Sequence, residues 1–345
     1  MEKKKSGCGR VFLVILCIVL GLILAALATG TVYANYLLGL MNRTEDTPQE
    51  TLSQEQIEEL LQEETVADDE IVGPEINEDE VDWGQQDGEV IESSSDIVNI
   101  LLIGQDARPG QGRARSDSMI MVTFNKETKT ITMTSFLRDL YVKIPGYRDN
   151  RINAAYALGG MELLNETLEV NFGVKVDGNV EVDFSRFAEV IDLLGGVDIE
   201  LRADEAKYIN RETGRYELEK GMQHLDGAQA LEYSRIRKLD SDADFSRTNR
   251  QRKVLNTLIE KFRNTKLTTL LGLLDDLLPM VTTDLDNETI IKYATDLFPM
   301  LADCTIVSQR VPMDDAYYLA MINKMSVIVA DMDAARDLLK QTLGG

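Results

Sequence analysis

Histidine and cysteine are nearly absent from this sequence, which holds one His and three Cys in 345 residues. A disulfide framework is excluded: Cys8 and Cys17 lie before and inside the first apolar run, which leaves Cys304 alone in the folded part. A Cys–His nucleophile pair is poorly served as well, because His224 stands 80 residues from Cys304. Cys304 is expected as a buried structural thiol, and His224 as a packing residue at a helix entry. Also missing are a GxxxxGK(S/T) phosphate loop, an HExxH zinc motif and a Ser nucleophile elbow. Basic residues are in short supply too: 36 Lys and Arg face 59 Asp and Glu, a net charge of −23. With no basic stripe along the chain, nucleic acid is not an expected partner.

That acidity is unevenly placed. Residues 1–41 carry Lys3, Lys4, Lys5 and Arg10 against Glu2, whereas 42–96 carry 20 acidic residues against Arg43 alone. The remainder holds 31 basic and 38 acidic residues, so the acidity belongs mainly to a linker. From Val11 to Ala28 the run VFLVILCIVLGLILAALA is unbroken, and no charge follows until Arg43. Such a run makes about 27 Å of helix, close to the thickness of a hydrocarbon core. A retained single-pass transmembrane anchor over 11–40 is expected, in preference to a cleaved signal peptide ending near Ala26-Leu27-Ala28. The basic tail 1–10 would stay cytoplasmic, and everything beyond the anchor would lie outside the cell membrane. Residues 41–96 read as an acidic, disordered stalk, with an amphipathic turn or two around Ile57, Leu60 and Leu61.

From Ile97 the pattern changes. IVNILLI (97–103), SMIMVTF (118–124) and TITMTSF (130–136) are short, β-branched runs that predict strands, the last two joined by a polar hairpin loop. LYVKI (140–144) predicts another, ending at the turn Pro145-Gly146. A helix is predicted over 153–171, interrupted at Gly159-Gly160. NVEVDF (179–184) and VDIEL (197–201) read as strands around a helix (184–194) that closes on Gly195-Gly196. After a polar excursion over 202–220, helices are predicted over 226–233, 245–262, 267–280 and 288–300. Closing strands TIVSQRV (305–311) and MSVIVAD (325–331) and a terminal helix (334–343) follow. Strands alternating with helices imply an α/β or α+β domain, with a central mixed sheet flanked by helices.

The chemistry-bearing residues fall in five short segments. Asp106 and Arg108 follow the strand 97–103, and Arg115 and Asp117 precede the strand starting at Met119. Both pairs sit at strand ends, where open sheets present ligand sites, and the i, i+2 spacing puts each pair on one side of extended chain. Arg138-Asp139 ends the strand 130–136. Arg235 and Arg237 are also two apart, which on a helix would point them about 200° from each other. Their use on one ligand requires the helix from 226 to end near Tyr233. Arg247 and Gln251 share one helical face, after a predicted cap at Asp244-Phe245-Ser246. Guanidinium groups bind phosphate bidentately and stay charged at any working pH. Gathered together they would repel one another unless a multiply charged anion sat among them. A pyrophosphate with a divalent cation meets that need, with Asp106 and Asp117 as hard oxygen ligands.

Taken in order, NILLIGQDAR, RSDSMIMVTFN, SFLRD, RINAAYALGG, VDFSRFAEVIDLLGGVDIEL, GMQHLDGAQALEYSRIRK and DFSRTNRQRKVL resemble the motifs of the LytR–CpsA–Psr family, over residues 97–262. The resemblance implies a catalytic domain of that type over 97–345. It implies a phosphotransferase that moves an anionic glycopolymer (teichoic acid or capsular polysaccharide) from a polyprenyl-pyrophosphate carrier onto peptidoglycan at the membrane. It further implies that Asp106 and Asp117 bind magnesium or manganese. The pyrophosphate would be held by Arg108, Arg115, Arg138, Arg235, Arg237, Arg247 and Gln251, with Asp117, Arg115, Arg138 and Arg247 closest to the chemistry. At Leu137 the sequence departs from the family, which usually has proline there, so a less constrained backbone is expected ahead of Arg138. Two other functions fit the same residues: a pyrophosphatase using water as acceptor, and a non-catalytic envelope protein that binds the lipid or regulates.

Overall fold

The structure, a computed structural model, describes residues 31–44, 52–62, 73–85, 89–105, 115–236, 239–240, 243–264, 267–301 and 304–344. The apolar run 11–28 lies outside them, and among the described residues no helix is long and apolar enough to cross a membrane. In chain order the elements are α1 (Thr31–Leu38), β1 (Asn42–Arg43), α2 (Gln54–Gln62), β2 (Ile97–Gln105), β3 (Ser116–Asn125), β4 (Thr130–Phe136), β5 (Tyr141–Val142), β6 (Asn150–Arg151) and α3 (Ile152–Phe172). Then come β7 (Gly178–Asp183), α4 (Phe184–Leu193), β8 (Val197–Leu201), α5 (Ala203–Thr213), β9 (Gly221–Leu225), α6 (Gly227–Arg235) and α7 (Ala243–Asn264). The chain closes with α8 (Leu267–Leu277), β10 (Val281–Thr283), α9 (Asn287–Leu301), β11 (Thr305–Val311), β12 (Tyr317–Ile322), β13 (Met325–Ala330) and α10 (Met332–Leu343).

A seven-stranded sheet has the order β1-β10-β7-β2-β3-β4-β11. It is mixed, since β1 runs parallel to β10 and β2 antiparallel to β3. The expected central mixed sheet with helices is therefore what the chain forms. β2 is buried at every position from Ile97 to Ile103, which is why its sequence is a continuous apolar run rather than an alternating one. Its register with β3 shifts between Gly104 and Gln105, an irregularity where the strand leaves the sheet ahead of Asp106.

The chain divides into two compact units, one drawn from residues up to 46, 129–131 and 181–307, the other from 47–128, 132–180 and 308–345. In the second unit, α3 packs against β3 and α10. It kinks at Gly160, whose φ of 66° is left-handed, and it stops at Gly173, also left-handed at 70°. A Cβ on Gly173 would stand 2.4 Å from the Glu89 carbonyl oxygen. Arg336, only 2 % exposed, donates to the carbonyls of Asn171 and Val170 at 2.8 and 3.0 Å, which places a cation at the helix's negative end.

The expected disordered stalk over 41–96 is corrected in its described residues. Asn42 and Arg43 pair with Thr282 and Thr283 within the first unit. Leu37 and Leu38, counted to the anchor, are buried in the fold. Within the second unit α2 packs on α3, and the Ile76 N–H bonds the Met321 carbonyl at 3.0 Å. Val81 joins the apolar cluster of Tyr141, Ala320, Ile322, Met325, Val327 and Val329. Trp83 stacks on Tyr141 with ring centroids 5.9 Å apart, and Lys143 lies 5.0 Å over its face. Charge composition pointed to a solvated spacer, but a few apolar side chains at intervals suffice to tie an acidic segment down.

Other departures are local. Of LYVKI, Tyr141 and Val142 pair with Arg151 and Asn150, and Leu140 makes an isolated parallel bridge to Ile328. The polar excursion contains α5, which buries only Ala206 and Ile209 among its apolar residues and so shows little stripe. β8 belongs to a separate pair with β9, and β13 to one with β12. The β12–β13 turn is Asn323-Lys324, both with positive φ, a two-residue turn geometry that glycine would have announced more clearly.

Candidate functional site

In the second unit, the ends of β3 and β4 bring two of the predicted segments together. Arg138 Nη1 bonds Asp117 Oδ1 at 2.7 Å, and Arg138 Nε lies 3.4 Å from Asp139 Oδ2. Asp139 Oδ1 in turn receives Arg151 Nη1 at 3.3 Å. The result is an alternating chain of charges: Asp117, Arg138, Asp139, Arg151. Three of its members are buried, Arg138 at 6 % exposure, Asp139 at 7 % and Arg151 at 2 %, while Asp117 keeps one side open to solvent. Burial without partners would be prohibitive for such groups, so the alternation is what allows it.

The backbone around Arg138 is fixed at four points. Leu137 N–H donates to the Val311 carbonyl at 3.1 Å, and Arg138 O accepts from Asn153 N–H at 3.3 Å. Asp139 O accepts from Ile328 N–H at 2.9 Å, and Leu140 O from Ile152 N–H at 2.8 Å. The looser backbone expected from Leu137 is therefore corrected. Proline has no N–H to give, whereas leucine supplies one and buries its side chain to 2 %. Arg115 donates through Nη2 to the carbonyl of Leu60, at the end of α2. Arg148, which spacing did not single out, donates to the next carbonyl, Leu61, at 2.7 Å.

In the first unit, α6 opens on Asp226, whose carboxylate accepts the Gln229 N–H at 2.9 Å while the Gln229 side chain accepts the Asp226 N–H at 3.1 Å. The two orphan donors of the helix start are thus satisfied reciprocally. The helix runs to Arg235, two residues beyond the predicted end at Tyr233. Ile236 then turns to φ −58°, ψ 122°, and is fully buried. Arg235 is partly exposed and lies 3.9 Å from Glu232. On α7, Arg247 is 4 % exposed and Gln251, one turn on, is half-buried. α7 begins at Ala243, so Asp244-Phe245-Ser246 lie in its first turn rather than before it.

Sequence reasoning missed an ion-pair network around these arginines. Arg250, 3 % exposed, donates Nε to Glu205 at 2.8 Å and also bonds Asp240. Asp240 receives Arg202 as well, at 2.6 Å. Burial works against the Asp240 charge, but the hydrogen bonds from Arg202 and Arg250 prevail and hold its carboxyl below the usual range. Tyr233, buried beside this network, has its hydroxyl pushed up to about 12, by burial first and by the Glu205 charge second. Arg250 was visible in the motif, but its acids lie 45 and 10 residues away, which no local spacing reveals.

Asp106, Arg108 and Arg237 lie outside the described residues. For a divalent cation, Asp117 offers a carboxylate that already holds Arg138 through one oxygen. Among the described residues no cluster of three or more metal-ligating side chains is gathered. His224 is not at a helix entry: it lies exposed on β9 with Nδ1 2.8 Å from Asp198 across the strand pair. Cys304 is half-buried rather than buried.

Comparison with known proteins agrees with the geometry. Residues 60–342 match the model of the LytR_cpsA_psr family. The polyisoprenyl-teichoic acid–peptidoglycan teichoic acid transferase TagT of Bacillus subtilis (strain 168) is 37 % identical over 212 residues, 60 % of this chain and 64 % of that protein. The regulatory protein MsrR of Staphylococcus aureus (strain COL) is 40 % identical over 169 residues, 48 % of this chain and 50 % of that one. The chain thus spans from half to just under two thirds of these relatives' lengths. Among solved structures, the LytR-CPS2A-psr family protein YwtF (TagT) with bound octaprenyl pyrophosphate lipid is similar with a TM-score of 0.56 and 28 % identity, covering 77 % of this chain and 99 % of that one. On the motifs, the fold and a match running from residue 60 to residue 342, this chain belongs to the LytR_cpsA_psr family.

Proposed function

We propose that this chain is a phosphotransferase that moves an anionic glycopolymer, teichoic acid or capsular polysaccharide, from a polyprenyl-pyrophosphate carrier onto peptidoglycan. The observation that carries the reading is Arg138, buried and aligned by Asp117 and Asp139, in a family with a solved member that holds octaprenyl pyrophosphate lipid. TagT, a relative at 37 % identity, is a teichoic acid transferase by name.

The reaction needs little covalent chemistry from the protein. An acceptor sugar hydroxyl attacks the phosphorus nearer the glycan, the P–O bond of the pyrophosphate bridge breaks, and polyprenyl phosphate leaves with the electron pair. Positioning and neutralisation of charge carry such a transfer. Arg115, Arg138 and Arg247, with Arg108, Arg235, Arg237 and Gln251, would hold the pyrophosphate oxygens. Asp106 and Asp117 would hold magnesium or manganese, which supplies Lewis-acid stabilisation of the phosphoryl oxygens. Arg138 is fixed before substrate arrives, so no reorganisation of its side chain is required at the moment of reaction. The apolar run 11–28 would anchor the chain, with the N-terminus cytoplasmic and the folded part outside.

The test is incubation of the purified full chain with lipid-linked glycan, peptidoglycan and magnesium. Covalent transfer supports the reading. Release of glycan phosphate without acceptor would make the protein a pyrophosphatase, and lipid binding without reaction would make it a non-catalytic envelope protein.

A further inference from the structure

Two guanidinium groups are buried at opposite ends of α3 in the second unit, each residue 2 % exposed. Arg336 lies at the end where the helix is negative, and it donates to the carbonyls of Val170 and Asn171. Arg151 lies at the other end. It caps the start of α3 with φ −65°, ψ 141° and no capping hydrogen bond from its side chain. Short polar side chains and anions suit that position, and a buried cation adds to the positive pole already there. Stability of the helix accounts for Arg336 and not for Arg151.

What Arg151 meets is Asp139. Residues 138–140 lie across the start of α3: Ile152 N–H donates to the Leu140 carbonyl at 2.8 Å, and Asn153 N–H to that of Arg138 at 3.3 Å. Asp139 stands between these two docked carbonyls, and its own oxygens are divided. Oδ1 takes Arg151 Nη1 at 3.3 Å, and Oδ2 faces Arg138 Nε at 3.4 Å. A carboxylate is planar, so a partner fixed on one oxygen sets the direction of the other. Arg151 is itself fixed. It pairs with Tyr141 across the β5–β6 ladder, and its N–H bonds Asn150 Oδ1 at 2.8 Å. It also evens the charge. Asp117 and Asp139 outnumber Arg138, and the excess would work against an anionic ligand; a second guanidinium cancels it. At 2 % exposure Arg151 has no surface of its own to offer that ligand.

We propose that Arg151 is a positioning residue: through Asp139 it sets the direction in which Arg138 presents its guanidinium, and it cancels the surplus negative charge beside it, without touching the pyrophosphate. The proposal deepens the functional reading and rests on Arg138 being a pyrophosphate ligand.

The experiment measures binding of geranylgeranyl pyrophosphate to the full chain by calorimetry, with magnesium present, alongside thermal unfolding. The variants are Arg151→Lys, Asp139→Asn, Arg138→Lys, Arg247→Ala, and Arg151→Lys combined with each of the last two. Lysine keeps the charge of Arg151 and loses its planar fork, so Arg151→Lys is expected to unfold within about 4 °C of wild type. It binds roughly fivefold more weakly. Added to Arg138→Lys it costs nothing further, because one acts through the other, whereas added to Arg247→Ala it costs its full fivefold. A merely structural role would give the same loss in both backgrounds. Asp139→Asn repeats the pattern, and it decides the matter if Arg151→Lys fails to fold. The proposal is overturned if Arg151→Lys and Asp139→Asn bind like wild type while Arg138→Lys has lost affinity. It is overturned equally if the loss adds in full to that of Arg138→Lys, or if both variants fail to fold, which would make the pair structural. Wild-type affinity in Arg138→Lys, or no binding by wild type, would instead overturn the ligand reading, and this proposal with it.

Discussion

Arg138 shows how a single side chain serves two ends. Its guanidinium compensates Asp117 and Asp139 and, in the function proposed above, is also the donor offered to the ligand. Truncation to alanine leaves Asp139 buried with one cation fewer, so Arg138→Ala is expected to cost about 3 kcal/mol of stability as well as activity. Loss of transfer in that variant alone would not separate the roles. Arg138→Lys keeps the charge but not the fork. It should stay folded, with a denaturant midpoint near wild type, while transfer falls at least tenfold, the loss of about one charge-assisted bond. Leu137 offers a second test. Leu137→Pro would restore the residue the family usually has, yet here it removes the N–H that Val311 accepts and the buried leucine side chain. A loss of about 2 kcal/mol is expected in urea unfolding. Unchanged stability would show that the Val311 contact is dispensable.

At the scale of elements, the network joining α5, α6 and α7 predicts the pH behaviour of the first unit. Asp240 is held below the usual carboxylate range, so its contribution is present above about pH 4 and is lost as pH falls through its lowered folded value. Asp240→Asn should therefore flatten the acid limb of a stability profile measured by urea midpoints between about pH 2 and pH 6. Tyr233 acts at the other end. With its hydroxyl pushed up to about 12, the native state holds that proton more tightly, and stability present below about pH 10 declines as pH rises through 12. Burial raises Tyr141 and Tyr318 as well, so a tyrosinate absorbance titration should show several late-titrating groups and lose one of them in Tyr233→Phe. Close packing makes its own prediction at Gly227, where a Cβ would stand 2.1 Å from the Ala188 carbonyl oxygen. Gly227→Ala should push α4 and α6 apart and lower the melting temperature. These element-level facts were only partly legible beforehand. Strands β2, β3 and β4 and helices α3 and α4 announced themselves through β-branched runs and glycine stops. α5 did not, because capping and ion pairs hold it more than an apolar stripe does.

For the molecule as a whole, the largest revision concerns where the folded part begins. Composition placed the boundary at 97, since 20 acidic residues precede it with a single basic one from 42 onward. In the fold, Val81, Trp83 and Ile91 are packed into the second unit, and Ile91 N–H bonds the Gly173 carbonyl at 2.8 Å. A chain shortened to start at 97 should unfold at least about 3 kcal/mol more easily than one started at 52, given what burying two or three such side chains contributes. Equal stability would return these residues to the role of a spacer. The site divided along the same line. Motif spacing singled out the candidates Arg115, Asp117, Arg138, Arg235, Arg247 and Gln251 because short stretches of chain carry them. Of their supports, Asp139 stood beside Arg138 in the sequence, whereas Arg151, Glu205 and Asp240 gave no signal, because burial and distant pairing define them.

The central claim is transfer of glycan phosphate to an acceptor sugar with a carrier phosphate left behind. It is tested most directly by mass spectrometry of the lipid product after reaction of the full chain with lipid-linked glycan, in the presence and absence of peptidoglycan. The account predicts polyprenyl monophosphate in an amount equal to the glycan joined to peptidoglycan, and none without acceptor. Polyprenyl monophosphate formed equally well without peptidoglycan, with the glycan phosphate free in solution, would contradict it.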